Sequence, residues 1–324
     1  MQRNLHLEGK IFGETAEFEE LAIELFHFQF KHCEIYRLFA EKIGRTKPYK
    51  LSEIPFLPIS FFKTHHVSCS IYNEDLLFLS SGTTQTGRSR HPVFSSEIYE
   101  RSFENIYRQF IGPPEEQVIL ALLPNYMEQG NSSLVYMVDF LIKKSDCLLS
   151  SFVLNNTEEL VQKYHAALKL EKKVVIIGVS YALLDLAELG LDFSKALIIE
   201  TGGMKGRRKE MTKEELHSEI MTGLKVDFVC SEFGMTELLS QSYSMKDGLF
   251  EMPNWMKILI RDINDPLSYL ENGKTGGINV IDFANIYSCS FISTQDLGKI
   301  ENKKLKIMGR FDNADIRGCN LLVQ

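Results

Sequence analysis

The sequence predicts an α/β fold, with a mainly parallel sheet covered by helices and a smaller antiparallel or barrel-like part near the C-terminus. Between residues 117 and 237, continuous apolar runs alternate with helix-compatible stretches. Such runs are typical of parallel strands buried on both faces. After residue 243 the pattern changes to glycine turns and alternating strands, which favours antiparallel pairing. We expect one large domain over 1–300, followed by a hinge and short C-terminal tail over 301–324.

Residues 1–50 are predicted to be the helical N-terminal part of this domain. Apolar side chains recur there at helical spacing, namely Phe18, Leu21, Ala22, Leu25 and Phe26. The following segment, KIGRTKPYKLSEIPFLPIS, contains several prolines and is therefore predicted to be an irregular connection. Lys63 comes directly after it, in FFKTHH.

Five apolar runs are predicted to be strands of the parallel sheet. In chain order they are QVILALLP, CLLSSFVL, KVVIIGV, KALIIETGG and KVDFVCSEFGMTE. SSLVYMVDFLIKK, between the first two, is predicted to be a helix. Thr212 and Glu215 have the spacing of a capping box and mark the start of another helix, TKEELHSEIM. Later segments such as NGKTGGINVIDF, SCSFISTQDLGKI and KLKIMGR carry the antiparallel pattern.

Composition excludes several classes of protein. The net charge is −7, which argues against a general nucleic-acid binder because such proteins usually carry a basic excess. No apolar run approaches the roughly 18 residues of a membrane-spanning helix, and the polar N-terminus lacks a signal-peptide core. The six cysteines are scattered without a CxxC pair, which argues against a zinc site or a disulfide framework. We therefore expect a cytoplasmic protein without a membrane span.

Three polar loops follow apolar strands, and ligands of open parallel sheets bind beyond the carboxyl ends of the strands. The first loop, SSGTTQTGRSRH, offers hydroxyl groups and two glycines that let backbone N–H groups approach a phosphate. Arg88 and Arg90 are suited to clamp that phosphate, and His91 is a further candidate for contact with it. The loop lacks the GxxxxGK[ST] pattern of a Walker A loop. The alternative is a solvated turn.

The other two loops offer complementary chemistry. Gly202 and Gly203 follow a strand and would let a flat group such as a purine lie against the backbone, although a tight strand-to-helix turn is the alternative. Thr236 and Glu237 place a hydroxyl beside a carboxylate, which suits a phosphate with bound magnesium. The alternative for this pair is a helix start.

The ordered set SSGTT, GG, EFGMTE, STQDLG and GRFD resembles the adenylate-forming superfamily of acyl-CoA synthetases and peptide-synthetase adenylation domains. Within it, the chain is most similar to the LuxE-like acyl-protein synthetases of bacterial bioluminescence. IPFLPISFFKTH, TGGMKGRRKEMTKEEL, FGMTELLSQSY and GRFDNADIRGCNLL carry this similarity, which spans roughly residue 51 to the C-terminus.

This resemblance implies an enzyme that uses ATP and Mg²⁺ to activate a carboxylic acid, with a fatty acid as the expected substrate. The residues that it places around ATP or AMP are Ser80, Ser81, Gly82, Thr83, Thr84, Gly202, Gly203, Thr236, Glu237, Asp296 and Arg310. Thr236 would meet the α-phosphate, Glu237 would bind the metal, and Asp296 and Arg310 would hold the ribose. Arg88 and Arg90 would offset charge on the departing pyrophosphate.

Two departures from the superfamily pattern stand out. Gln85 follows the double threonine where a glycine is common, and an arginine-rich run replaces a later lysine. Larger members carry a lid domain of about one hundred residues, a normal domain size, with a catalytic lysine after the hinge. Here fourteen residues follow Arg310, so the resemblance implies a lid that is absent or vestigial, or supplied by a partner. Lys63 is the candidate within this chain for the missing lysine, and a structural or exposed lysine is the alternative.

The acyl acceptor is the last element of the resemblance. Acyl-protein synthetases carry the acyl group on a cysteine near the C-terminus, which matches Cys319 in IRGCNLLVQ. A thiolate is the required nucleophile, and Arg317 lies two residues away. The alternative for Cys319 is a small buried apolar residue. Alternative functions are a ligase that delivers the acyl group to coenzyme A or an acyl carrier protein, and a non-catalytic nucleotide- or carrier-binding subunit.

Overall fold

Two large β-sheets with flanking helices form the framework of the chain. The computed structural model describes residues 3–13, 17–69, 74–81, 87–124, 131–154, 156–202 and 211–311. The α-helices of these residues are α1 (Leu5–Ile11), α2 (Phe18–His32), α3 (Glu34–Lys42), α4 (Phe61–Thr64), α5 (Ser96–Phe110), α6 (Ser133–Lys144), α7 (Thr157–Lys169), α8 (Ser180–Ala187) and α9 (Lys213–Leu224).

The strands alternate with these helices in the first two thirds of the chain and follow one another in the last third. They are β1 (Leu57–Pro58), β2 (Leu76–Leu79), β3 (Arg90–Val93), β4 (Gln117–Leu122), β5 (Ser151–Phe152), β6 (Lys173–Val179), β7 (Ala196–Thr201), β8 (Cys230–Phe233), β9 (Ser242–Ser244), β10 (Leu249–Phe250), β11 (Met256–Arg261), β12 (Gly276–Asp282), β13 (Phe291–Glu301) and β14 (Lys304–Arg310).

The first large sheet has the strand order β5-β4-β6-β7-β8-β9. Its strands run parallel except for β9, which pairs antiparallel with β8 at the edge. Every residue of β4 is buried, as are the last six of β6, which confirms the prediction from continuous apolar runs. Helices α6, α7 and α8 pack against these strands. The predicted strand CLLSSFVL is shorter than expected, because only β5 pairs there.

The second large sheet is antiparallel, with the order β10-β14-β13-β12-β11, and β1 joins it parallel to β13. Gly277 leaves room for a buried arginine, since a Cβ at this position would lie 2.4 Å from Arg261 Cζ. The Arg261 guanidinium donates to the carbonyl oxygens of Ile278, at 2.8 Å, and Thr294, at 2.7 Å. This arrangement confirms the antiparallel part that the sequence predicts after residue 243.

The N-terminal helices pack on the second sheet. Gln29, fully buried on α2, donates to the carbonyl oxygens of Asn285 and Ile286 and accepts from the Ser290 amide at 3.0 Å. The apolar stripe that predicts α2 is buried, with Leu21, Ala22, Leu25 and Phe26 inside the core. Across the described ranges, none of the helices is both long and apolar enough to cross a bilayer.

Candidate active site

The first polar loop connects the two strands of a separate hairpin, β2 and β3, which pair antiparallel. The sequence predicts that this loop leaves the carboxyl edge of the parallel sheet. The structure shows instead that it belongs to a separate hairpin. The base of the loop is closed by two hydrogen bonds, from the Ser80 amide to the Ser89 carbonyl at 3.0 Å and from the Ser89 amide to Ser80 Oγ at 2.9 Å. Ser81 follows this closure and is exposed.

The two arginines of this loop are exposed. Arg88 donates from Nε to the Ser80 carbonyl across the mouth of the loop. Arg90 begins β3 and pairs with Leu79. Both arginines therefore keep guanidinium donors exposed to solvent, although Arg88 Nε is bonded to the hairpin. The remaining predicted residues of this loop, Gly82, Thr83 and Thr84, lie outside the described residues.

His91 is fully buried and does not face the loop. Its Nδ1 lies 2.8 Å from the Thr236 carbonyl oxygen and its Nε2 lies 2.8 Å from Ser288 Oγ. Burial lowers the pKa of His91 to about 4, although the bond to Thr236 acts in the opposite direction. A neutral ring donates from Nδ1 to the carbonyl and accepts from the serine at Nε2. The prediction that His91 contacts a phosphate is therefore wrong, because β3 buries His91 together with Pro92 and Val93.

The segment with Thr236 and Glu237 follows β8 and is anchored through its backbone. The Asn285 side chain donates to the Glu237 carbonyl at 2.7 Å and accepts from the Leu239 amide at 2.9 Å. Asp282 accepts from the amides of Leu239 and Ser240 at 3.0 and 2.8 Å. Together with His91, these bonds hold the backbone of the loop in one conformation.

Glu237 is a buried carboxylate, with 6% of the residue exposed. Burial raises its pKa, while a hydrogen bond from the Ser89 side chain and the charges of Arg310 and Lys63 act to lower it. The structure therefore brings the polar hairpin, α4 and β14 together around one carboxylate. A cation bound beside such a buried carboxylate would stabilise its charged form strongly, because the cation compensates for the lost solvation.

Asp296 and Arg310 face each other in the β13–β14 pairing. Arg310 Nε donates to Asp296 Oδ1 at 2.9 Å, and the arginine side chain is 75% exposed while that of the aspartate is 9% exposed. The exposed part of Arg310 carries donors for a ligand. Since Arg310 also acts on Glu237, it links the two acidic residues that the sequence singles out.

Lys63 and Gly202 complete the described part of the site. Lys63 is half-buried on α4, and its charge reaches Glu237. Gly202 follows β7 with a φ of +78°, a conformation that favours glycine, and its carbonyl accepts from Ser180 Oγ at 3.0 Å. Gly203 and Cys319 lie outside the described residues.

Sequence reasoning missed three residues that fix this site, Ser89, Asp282 and Asn285, and predicted the wrong role for His91. A signal for two of them is present in NVIDFANIY, where an aspartate and an asparagine interrupt an apolar run. Buried polar side chains need partners, so these two residues predict hydrogen bonds to some distant segment. The pattern does not say which segment.

The family model for LuxE acyl-protein synthetases matches residues 14–324. The chain belongs to this family. LuxE-family membership confirms the resemblance that the sequence motifs indicate. No relative was found among proteins of curated function.

Solved structures show the same fold at low sequence identity. A 2-hydroxyisobutyryl-CoA ligase in complex with 2-HIB-AMP and CoA is 10% identical, with a TM-score of 0.65 over 91% of this chain and 75% of that one. ATP-bound MatB from Rhodopseudomonas palustris is 18% identical, with a TM-score of 0.53 over 74% of this chain. The match spans about half of MatB, 49% of its chain. The LuxE-family chain therefore has the fold of adenylate-forming ligases.

Proposed function

We propose that this protein uses ATP to activate a carboxylic acid as an acyl-adenylate and then transfers the acyl group to a protein thiol. The observation that carries the proposal is the convergence of Asp296, Arg310 and Glu237 beside Thr236. A buried carboxylate, a hydroxyl and an exposed guanidinium are the groups that a nucleotide phosphate with a bound cation requires. Family membership and the fold of nucleotide-bound neighbours support the same reading.

In the first step, an oxygen of the acid attacks the α-phosphorus of ATP and the bond to the leaving pyrophosphate breaks. The chain's task is to position the two reactants and to neutralise charge. We assign Thr236 to the α-phosphate, Asp296 and Arg310 to the ribose, and Arg88 and Arg90 to the pyrophosphate. Ser80 and Ser81 would border the phosphates, together with Gly82, Thr83 and Thr84.

Glu237 would hold Mg²⁺, which supplies positive charge beside the phosphates. Its burial and raised pKa fit this role, because desolvation outweighs the hydrogen bonds and the charges of Arg310 and Lys63 that act on the carboxylate. Gly202 and Gly203 would border the adenine. Lys63 is our candidate for the lysine that contacts the reacting phosphate, since its charge already acts at Glu237.

In the second step, a thiolate attacks the acyl carbonyl carbon, AMP leaves with the electron pair of the C–O bond, and the thiol proton passes to solvent. We propose Cys319, or a cysteine of a partner protein, as this thiol. Coenzyme A or an acyl carrier protein is the second candidate acceptor, favoured by the CoA ligase of the same fold.

The test of the first step is acid-dependent exchange of labelled pyrophosphate into ATP, with Glu237→Gln as the inactive variant and Glu53→Gln, on the 3-10 turn Leu51–Glu53, as the matched control. We expect exchange in the native protein and the control, and a loss of at least about 100-fold in Glu237→Gln. ATP binding without exchange for any acid would instead favour a non-catalytic nucleotide-binding subunit.

The test of the second step is intact mass after incubation with ATP and the active acid. We expect one acyl adduct that hydroxylamine removes, and its absence in Cys319→Ser. Cys147→Ser is the matched control, because Cys147 is the cysteine of the described residues that is not fully buried. An unmodified protein that acylates coenzyme A at full rate would overturn self-acylation and leave adenylation standing.

A further inference from the structure

A second buried carboxylate, Glu232, lies near the proposed reaction centre and is not among the residues assigned to it above. Glu232 is 7% exposed and stands on β8, where it pairs with Thr201 of β7 and with Tyr243 of β9. Residues in register on neighbouring strands share a face of the sheet, so these three side chains lie together. Thr201 Oγ1 donates to Glu232 Oε2.

Two polar atoms on this face have no hydrogen-bond partner within the part of the chain that the structure describes. They are the Oε1 atom of Gln241, which is 4% exposed, and the hydroxyl of Tyr243, which is 1% exposed. Gln241 stands two residues before Tyr243 on the approach to β9 and so lies on the same side of the chain. A buried polar atom without a partner is costly and uncommon in proteins. Two of them next to a carboxylate therefore suggest a missing ligand.

Gly234 joins the three residues into one surface. A Cβ on Gly234 would lie 2.5 Å from Glu232 Oε1 and 3.3 Å from Gln241 Cγ. The Glu232 carboxylate and the Gln241 side chain thus meet over the bare backbone of the glycine. Thr236 follows two residues later, which limits the separation of the two Cα atoms to roughly 7 Å. The surface is therefore adjacent to the position proposed for the α-phosphate and the reacting acid.

The neighbouring Glu200 shows what a purely structural carboxylate looks like in this fold. It is 1% exposed and accepts from Ser180 Oγ at 2.5 Å, from Ser231 Oγ at 3.1 Å and from Lys213 Nζ at 2.6 Å. Glu232 has one side-chain donor, Thr201, among the described residues. Burial and the charge of Glu200 raise the pKa of Glu232 to about 7, against the hydrogen bond from Thr201 and the charge of Lys213.

We infer that the surface formed by Glu232, Gln241 and Tyr243 binds a hydrogen-bond-donating substituent, a hydroxyl or amino group, on the acid that the enzyme activates. The inference rests on the proposed function and replaces the expected plain fatty acid with a short polar acid. A hydrocarbon chain on this surface would leave the carboxylate and both unpartnered atoms dry and unsatisfied. A site built to bond an O–H or N–H group discriminates strongly against analogues that lack it.

The test compares pyrophosphate exchange for acids matched in length. Butyrate, its 3- and 4-hydroxy derivatives, its 3- and 4-amino derivatives, and straight-chain acids of eight to fourteen carbons form the panel. We expect at least one substituted acid to exceed butyrate and the long acids by roughly 100-fold or more in kcat/KM. Comparing the hydroxy derivatives with the amino derivatives shows whether the bound substituent donates from an O–H or from an N–H group.

Variants then connect the preference to the surface. Tyr243→Phe and Glu232→Gln should reduce kcat/KM for the substituted acid about 10-fold or more and leave the value for butyrate unchanged. Tyr36→Phe is the matched control, because Tyr36 on α3 is equally buried and its hydroxyl donates to the Pro55 carbonyl at 2.8 Å. A structural role of Tyr243 would affect both acids alike.

The failures are distinguishable. Preference for straight-chain fatty acids, or a preference for a substituted acid that survives both variants, would overturn the inference and leave the proposed function intact. Absence of exchange with every acid despite ATP binding would overturn the proposed function, and the inference with it.

Discussion

Replacing His91 by phenylalanine tests whether a buried neutral imidazole holds the Thr236–Glu237 loop. Phenylalanine keeps the ring that packs edge-on against Phe62, at 5.3 Å between centroids, and removes both hydrogen bonds of the imidazole. The Ser288 hydroxyl can turn to the Asn285 carbonyl, 3.4 Å away. The Thr236 carbonyl loses its side-chain donor.

The change in the free energy of unfolding that His91→Phe causes depends on pH. At pH 7.5 the unsatisfied carbonyl should lower the free energy of unfolding by about 1–3 kcal/mol. The pKa of His91 is 6.5 in its ordinary state and about 4 in the fold, and one pKa unit corresponds to about 1.4 kcal/mol. Because the unfolded chain binds the proton first, the native protein loses about 3 kcal/mol of stability as the pH falls from 6.5 to 4. The variant has no such loss, so the two curves should converge or cross near pH 4.5.

Urea unfolding of both proteins between pH 4.5 and 7.5 measures this difference, with the single tryptophan, Trp255, as the fluorescent probe. His165→Phe is the control, since His165 is exposed and should leave the difference near zero at every pH. A constant difference between the His91 variant and the native protein would refute the reasoning, because it would mean that His91 titrates normally or contributes through packing alone.

Three further predictions concern buried groups. Glu232→Gln should raise the free energy of unfolding at pH 8 by up to about 3 kcal/mol and change it little below pH 4.5. The reason is that the pKa of this carboxyl rises to about 7 in the fold, so the native protein loses stability as the pH rises through that value. Equal stability of the variant and the native protein at pH 8 in urea titrations would contradict this. Asp282→Asn should lower the free energy of unfolding by about 2–4 kcal/mol, since one amide oxygen cannot replace two carboxylate oxygens that accept four hydrogen bonds. Thermal unfolding measures this change, and an unchanged midpoint would argue against the anchoring role of Asp282. Gly277→Ala should lower the free energy of unfolding by about 2–4 kcal/mol, because the new Cβ would lie 2.4 Å from Arg261 Cζ. Gly9 is a helical glycine whose Cβ would meet nothing within 4 Å, so Gly9→Ala should be neutral or slightly stabilising by urea titration.

The elements that the sequence predicts correctly are those whose signal lies within a short stretch of neighbouring residues. The runs that became β4 and β6 are continuous and apolar because each strand is covered on both faces. Thr212 and Glu215 form the capping box that their spacing predicts at the start of α9. In both cases the signal and the structure concern neighbouring residues.

The first polar loop shows where this reasoning ends. LLFL is apolar, like the strands of the parallel sheet, but it pairs with RHPV in a hairpin of its own. Hydrophobicity indicates that a strand is covered, and it does not identify the partner strand. His91 shows the same limit: RHPV alone does not indicate which of its side chains the fold covers, and this histidine lies in the core.

By itself, the sequence determined the alternation of strands and helices, the antiparallel C-terminal part, the residue types for nucleotide chemistry, and membership of the LuxE family, which the family model confirms. The tertiary structure alone decided which of these groups meet. It places His91 against Thr236, 145 residues away, and Arg310 between Asp296 and Glu237. The physical reason is that backbone preference and burial pattern are local properties of the chain. Hydrogen bonds, desolvation and charge interactions depend on distances in space, which only the folded chain defines.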